Sequence, residues 1–340
     1  MRKSINYFLF TLAFILLYSC SDNENPQTQE VLSNSTILIT GHESNSNYSI
    51  SKAKLWQNGT ASTIGNGANN SISTSVFKNG NDIYIAGKEN NVAKIWKNGI
   101  ATSLTDGTND ACAYSVYVYN NDVYATGYER IGNIQVAKYW KNGIATTLTD
   151  GTQNAEGLSI FVYNSDVYIA GKTSNGAIIS IATIWKNGIS TVLTSANNFS
   201  IANSIFVSNG DVYVSGYDND GAKFIATYWK NGITNSLVNH SQDSFANSIF
   251  IKNNDVYVVG SEYNGAFQVA RLWKNGISTT ITDNTKASYA QNIYVYGADT
   301  YIVGRELNNS KFIGKVWKNG NEIYSLEGVN DVHLRSILVF

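Results

Sequence analysis

The chain has 340 residues, 43% hydrophobic and 12% aromatic, which is enough for a large core and too apolar for a disordered polymer. Only 14% are charged and the formal net charge is −1, so no basic excess is available to track phosphates, and a nucleic-acid partner is excluded. One proline, Pro26, and 28 glycines suit an all-β protein of many short strands and tight turns.

Arg2 and Lys3 precede an apolar run from Tyr7 to Leu17, and Leu17-Tyr18-Ser19-Cys20 follows. A membrane helix needs about 20 apolar residues, so this shorter run reads as a secretory leader over residues 1–19. The Leu-x-small-Cys ending resembles the bacterial lipobox. That resemblance implies cleavage before Cys20 and a diacylglycerol on its thiol. Losing Arg2 and Lys3 takes the formal charge from −1 to −3. Each buried methylene of an acyl chain contributes about 0.8 kcal/mol, so several chains hold a protein firmly on a bilayer. Residues 20–35 carry Asp22, Glu24, Pro26 and Glu30 with few apolar residues, the composition of a solvated tether. The run Ser21-Asp22-Asn23-Glu24 resembles the export signal that sends some lipoproteins to the outer face of the outer membrane. The expected address is therefore the bacterial outer membrane, with the domain either at the cell surface or in the periplasm.

From residue 36 onward the chain repeats. Trp56, Trp96, Trp140, Trp185, Trp229, Trp273 and Trp317 recur every 40 to 45 residues, each followed after one residue by Asn-Gly. Gly41, Gly87, Gly127, Gly171, Gly216, Gly260 and Gly304 keep the same period, each read as closing a strand. In the unit from Leu158 to Thr194 the expected strands are a (Ser159 to Tyr163), b (Asp166 to Gly171), c (about Ile179 to Trp185) and d (Ile189 to Leu193). Asn187-Gly188 between c and d is a strong hairpin signal. Four short antiparallel strands in about 44 residues match one blade of a β-propeller.

The chain ends supply the count. The first repeat opens on Thr36-Ile37-Leu38-Ile39-Thr40-Gly41, which already matches strand b. The last segment, Arg335 to Phe340, matches strand a and nothing follows it. Pairing these complementary ends makes a seventh blade and removes two open sheet edges. Residues 36–340 are thus expected to form a seven-bladed ring and to act as a monomer. The repeats resemble kelch-like and other bacterial propeller repeats, but they lack the kelch double glycine, and no function is carried over from that resemblance.

Positions shared by every blade serve the fold. The tryptophans are expected to wedge between blades. Ser75, Ser115, Ser159, Ser204, Ser248 and Ser336, with Asn292 in the remaining blade, are read as small residues that let the inner strands approach. Asp82, Asp122, Asp166, Asp211, Asp255 and Asp299 are read as turn residues bonding nearby backbone amides. Cys112 lies between Ala111 and Ala113 with no cationic neighbour in sequence, a packing thiol. Asp218-Asn219-Asp220-Gly221 fails as a calcium loop, because the twelfth position is Trp229. No cofactor and no metal are expected.

The variable positions are where recognition belongs. Long d–a and b–c connections, such as Thr105 to Ala113, Ser195 to Ala202 and Thr173 to Ser180, gather on one face of a propeller. At the start of strand a one column reads Thr74, Tyr114, Leu158, Asn203, Asn247, Gln291 and Arg335. Its polar members Tyr114, Asn203, Asn247, Gln291 and Arg335 are the candidate ligand-binding residues, of a kind that bonds a sugar or a peptide. No catalytic spacing emerges: His42, His240 and His333 fall in different repeats, and no nucleophile elbow is present. The expected role is a binding or scaffold module for a glycan or an envelope protein. The alternative is a carbohydrate-active hydrolase or lyase using carboxylates clustered at the channel mouth.

Overall fold

The structure, a computed structural model, describes residues 35–44, 50–65, 67, 70–176, 179–195, 198–238 and 241–340. The leader, Cys20, nearly all of the tether and His240 lie outside the described residues.

Each blade is organised by its c–d hairpin. In Lys141-Asn142-Gly143 the asparagine takes φ 51° and the glycine φ 83°, the paired left-handed conformation of a type I′ turn. Such a turn matches strand twist and fixes the register of Trp140 against Ala145. Repetition of this unit produces seven four-stranded antiparallel sheets.

Six sheets are continuous in sequence. Blades 2 to 7 start with the strands a at Ser71–Asn79, Ala111–Tyr119, Ala155–Tyr163, Ser200–Ser208, Ser244–Lys252 and Ser288–Tyr296. Blade 1 joins the two ends of the domain: Asp331–Val339 supplies strand a, and Ile37–Ser44, Ser51–Gln57 and Thr60–Thr63 supply b, c and d. Ile37 pairs with Val339 and Ile39 with Ile337. Thr36 and Phe340 exchange both backbone hydrogen bonds, at 2.7 and 3.1 Å. The seven-bladed ring closed by its last strand is therefore the fold.

The tryptophans do lie between blades. Trp140 of blade 3 packs with Tyr84, Ala86 and Ile95 of blade 2 as well as with Val116 and Ala125 of its own blade. Trp185, Trp229 and Trp273 are completely buried in the equivalent seams.

Strands a and b are longer than the sequence suggests. In blade 4 they run over Ala155–Tyr163 and Asp166–Ser174, so Gly171 lies inside strand b and does not end it. The cause is a β-bulge in strand a. The pairing of Gly157 with Gly171 is followed by Ser159 with Ala170, leaving Leu158 unpaired. The bulge presses the strand-a carbonyl onto strand b, and a Cβ on Gly171 would sit 2.0 Å from the Glu156 oxygen. All seven column glycines face such a carbonyl at 1.8–2.0 Å. The glycine column is thus the imprint of seven bulges. The d–a and b–c connections are correspondingly shorter than their sequence boundaries implied.

Two columns do more than expected. The serines are not merely small. Each accepts a hydrogen bond from the inner strand of the next blade, as in Val116 N–H to Ser75 Oγ (3.3 Å), Ile160 to Ser115 (3.3 Å) and Ile205 to Ser159 (3.2 Å). Asn292 bridges two seams, donating to Ser248 Oγ at 3.0 Å and accepting from Ile337 N–H at 3.0 Å. Val76 N–H to Ser336 Oγ (3.3 Å) completes the circuit across the closing blade.

The aspartates hold side chains of the c–d turn rather than backbone amides. Asp166 accepts from Asn187 Nδ2 at 2.7 Å and pairs with Lys186 at 2.9 Å, while Asn187 Oδ1 accepts from Val167 N–H. These two partners keep the Asp166 carboxyl below the usual carboxylate range. Blade 1 has Thr36 and Gln57 where the others have Asp and Lys, so the pair is lost as a unit.

Candidate functional site at the channel

A bulge re-aims the side chain of its unpaired residue. Here seven bulges occur at one height of the ring, and the seven unpaired residues are Thr74, Tyr114, Leu158, Asn203, Asn247, Gln291 and Arg335. They line one central cavity of about 430 Å³ together with Ser75, Ser115, Ser159, Ser204, Asn292 and Ser336. That volume lies within the range of small-molecule sites. All five candidate residues, Tyr114, Asn203, Asn247, Gln291 and Arg335, are brought together there.

They are not equivalent. Asn203 Nδ2 donates to Ala246 O at 2.9 Å and Asn247 Nδ2 to Ala290 O at 2.8 Å, each reaching the next blade's carbonyl just before its bulge. Thr74 Oγ1 reaches Ala113 O in the same way, at 2.8 Å. These three side chains stitch the ring, leaving each asparagine with its Oδ1 and one N–H unengaged. Tyr114, Gln291 and Arg335 have no hydrogen-bond or ion-pair partner among the described residues. Burial holds the Tyr114 phenol well above its ordinary pKa, so it is a neutral donor. Arg335 is enclosed by the ring wall yet open to the channel; desolvation first and Arg305 second lower its pKa, but a guanidinium stays charged.

Above the bulges the channel mouth has two contrasting arcs. Blades 5 and 6 carry an aromatic cluster in which Tyr217 meets Phe245 edge-on at 4.9 Å and Phe224 at 5.5 Å, with Phe199 stacked at 6.3 Å. In blade 7, Arg305 lies over Tyr289 and Phe312, 5.0 and 4.3 Å from their ring centres. Blades 2 to 4 carry ion pairs instead: Lys88 with Asp110 at 2.9 Å and Lys172 with Glu156 at 3.6 Å. Burial works to raise the Asp110 pKa, but the Tyr128 hydroxyl at 2.7 Å and Lys88 outweigh it and hold the carboxyl low.

Below the bulges, three residues along each strand a, Phe77, Tyr117, Phe161, Phe206, Phe250 and Tyr294 touch in succession at 4.6–5.1 Å between centres. This aromatic girdle was visible as a repeated column in the sequence, but the strand-a reading passed over it. The aromatic cluster at the mouth was not visible, because its members come from different columns of two blades.

Ring closure also joins two histidines that the sequence placed in separate repeats. His42 and His333 are cross-strand partners with rings stacked at 4.8 Å, and Arg305 reaches His333 Nδ1 at 2.8 Å. Among the described residues no group of three His, Cys, Asp or Glu is placed to hold a metal. In the Asp218–Gly221 loop, Asp220 accepts from the Ala222 and Lys223 amides. Burial pushes the Cys112 thiol up to about 12, consistent with a packing role.

No protein-family model matches the chain, and no curated protein matches it in sequence. Solved structures resemble it in fold. A puromycin-hydrolyzing peptidase of Mycobacterium tuberculosis superposes with a TM-score of 0.62 at 6% identity, over 87% of this chain and 52% of that one. This chain therefore spans about half of that peptidase. The β-propeller domain of the Trilobed protease from Pyrococcus furiosus, described as having an open velcro topology, gives a TM-score of 0.51 at 12% identity, covering 87% of this chain and 95% of that domain. Kuenenia stuttgartiensis hydrazine synthase gives 0.52 at 11% identity, over 90% and 46%. At such identities the likeness concerns architecture alone, and the chain is a seven-bladed β-propeller of four-stranded blades.

Proposed function

We propose that this propeller is a lipid-anchored module of the bacterial cell envelope that binds a glycan at the mouth of its central channel. The observation that carries the reading is the pairing of a polar cavity, with three unengaged hydrogen-bonding side chains, and a half-buried aromatic cluster whose Phe245 lies two residues before the cavity-lining Asn247 on the same strand. Sugars need both: directed polar groups for hydroxyls and a flat apolar surface for the C–H face of the ring. The hydrolase alternative required clustered carboxylates with room for a substrate. The acids at the mouth, Asp110 and Glu156, are each matched by a lysine, and Asp110 lacks the raised pKa of a general acid.

The soluble domain from Ser33 onward, applied to a glycan array, is expected to retain defined glycans without consuming them. Phe245→Ala is expected to weaken that binding about tenfold while leaving the thermal transition nearly in place. Retention of an envelope protein in a pull-down, with an empty array, would replace the glycan by a protein partner. Turnover abolished by Glu156→Gln would replace the binder by an enzyme. For the anchor, a clickable fatty acid fed to expressing bacteria is expected to label the full chain and to fail with Cys20→Ala.

A further inference from the structure

The side chains lining the channel are polarised, and the polarity names a ligand class. On blades 7, 1 and 3 the unengaged groups Gln291, Arg335 and Tyr114 all offer hydrogen-bond donors. On blades 5 and 6, Asn203 and Asn247 each spend one N–H on a carbonyl and keep Oδ1 and the second N–H, a neutral amide edge that can accept and donate. One wall thus carries a full positive charge, and the facing wall carries neutral amides.

We infer that the channel selects a sugar residue bearing an acidic group, with its oxyanion on Arg335 and its hydroxyls on Asn203 and Asn247. This deepens the glycan reading and rests on it. Arg335 is the one member of the bulge column that carries a charge. The ion pairs at the mouth are internally neutralised, Lys88 by Asp110 and Lys172 by Glu156, so they do not cancel it. Arg335 is solvent-exposed within the channel and bonded to no protein group, so an oxyanion can replace its channel water with a charge-assisted, bidentate contact. Only one free positive charge faces the cavity, which makes a singly acidic sugar a better fit than a polyanion. Strand a of blade 1 delivers Arg335, so the closing strand both completes the ring and supplies its recognition group.

Isothermal titration of the soluble domain with glucuronate, glucose and acetate separates the possibilities. Glucuronate is expected to bind at least tenfold more tightly than either glucose, which lacks the charge, or acetate, which lacks the ring. Arg335→Gln is expected to abolish the preference of glucuronate over glucose. It should leave the melting temperature unchanged, because Arg335 holds no partner in the fold. Gln291→Leu is a second probe and is expected to weaken glucuronate several-fold. Equal binding of glucose and glucuronate, or an Arg335→Gln domain that keeps its preference, overturns the acidic-sugar inference while leaving the glycan reading intact. Acetate binding as tightly as glucuronate, with an empty glycan array, overturns the glycan reading and leaves a simple anion site.

Discussion

Replacing Gly171 by alanine is expected to remove about 3 kcal/mol of stability or prevent folding altogether. The new Cβ would lie 2.0 Å from the Glu156 carbonyl oxygen, and backbone on both sides leaves no rotamer through which the contact can relax. Relief requires strand a to move away, which removes the bulge and turns residue 158 out of the channel. Gly188 provides the contrast within the same blade. Its φ of 85° makes alanine strained, but nothing lies within 4 Å of its Cβ, so Gly188→Ala is expected to cost only about 1 kcal/mol. Urea denaturation of the two variants measures the difference. Equal costs would mean that the bulge does not dictate the glycine.

Acid is expected to loosen the closing blade before it affects the other six. His42 is held down to about pKa 2, by burial first and then by Arg335, His333 and Arg305. His333 is held down to about 4 by burial, Arg305 and Arg335, against the opposing pull of Asp331. The neutral forms are the folded forms. Above pH 6.5 both imidazoles are neutral in folded and unfolded chains alike, and their full contribution is present. As the pH falls below 6.5 the unfolded chain takes up protons that the folded chain refuses, so stability declines through this window. His42 alone accounts for about 1.4 kcal/mol per pH unit, near 3 kcal/mol by pH 4.5. His333 adds a comparable amount down to pH 4.5, because its folded pKa also lies below that pH. Chemical denaturation at pH 7.5 and pH 4.5 should show this loss, and His42→Leu should remove about half of it. A wild-type domain equally stable at both pH values would contradict the assignment.

The acid response and the ligand site meet on one strand. His333 and Arg335 are two residues apart on Asp331–Val339, and both arginines of this corner act on both histidines. Anion occupancy beside Arg335 would offset one of the positive charges that keep the imidazoles neutral. Glucuronate is therefore predicted to raise the pKa of His333, a shift readable by NMR titration.

The sequence made some of this legible and concealed the rest for identifiable reasons. Blade number and closure could be read because Trp and Gly recur with one period and the two ends are complementary fragments of one repeat. The ligand column could be read because Thr74, Tyr114, Leu158, Asn203, Asn247, Gln291 and Arg335 differ where their neighbours agree. What could not be read was why those positions differ. A bulge breaks the two-residue alternation of a strand, so the segment before Ser159 looked like a loop and Gly171 looked like a strand end. The serine ring was misread for a related reason: its hydrogen bonds run between blades, and a single repeat does not contain its own partner. The His42–His333 stack was hidden by distance along the chain, since only closure makes them neighbours.

Hydrogen exchange of the Asp331–Val339 amides in the soluble domain tests most directly whether the last strand completes the ring and carries Arg335 into the channel. Ile337 and Ile39 are expected to exchange as slowly as the inner strands of blade 4, in a single cooperative unit. Amides of residues 331–339 that exchange at the rate of an unpaired tail, while the other blades stay protected, would contradict that closure.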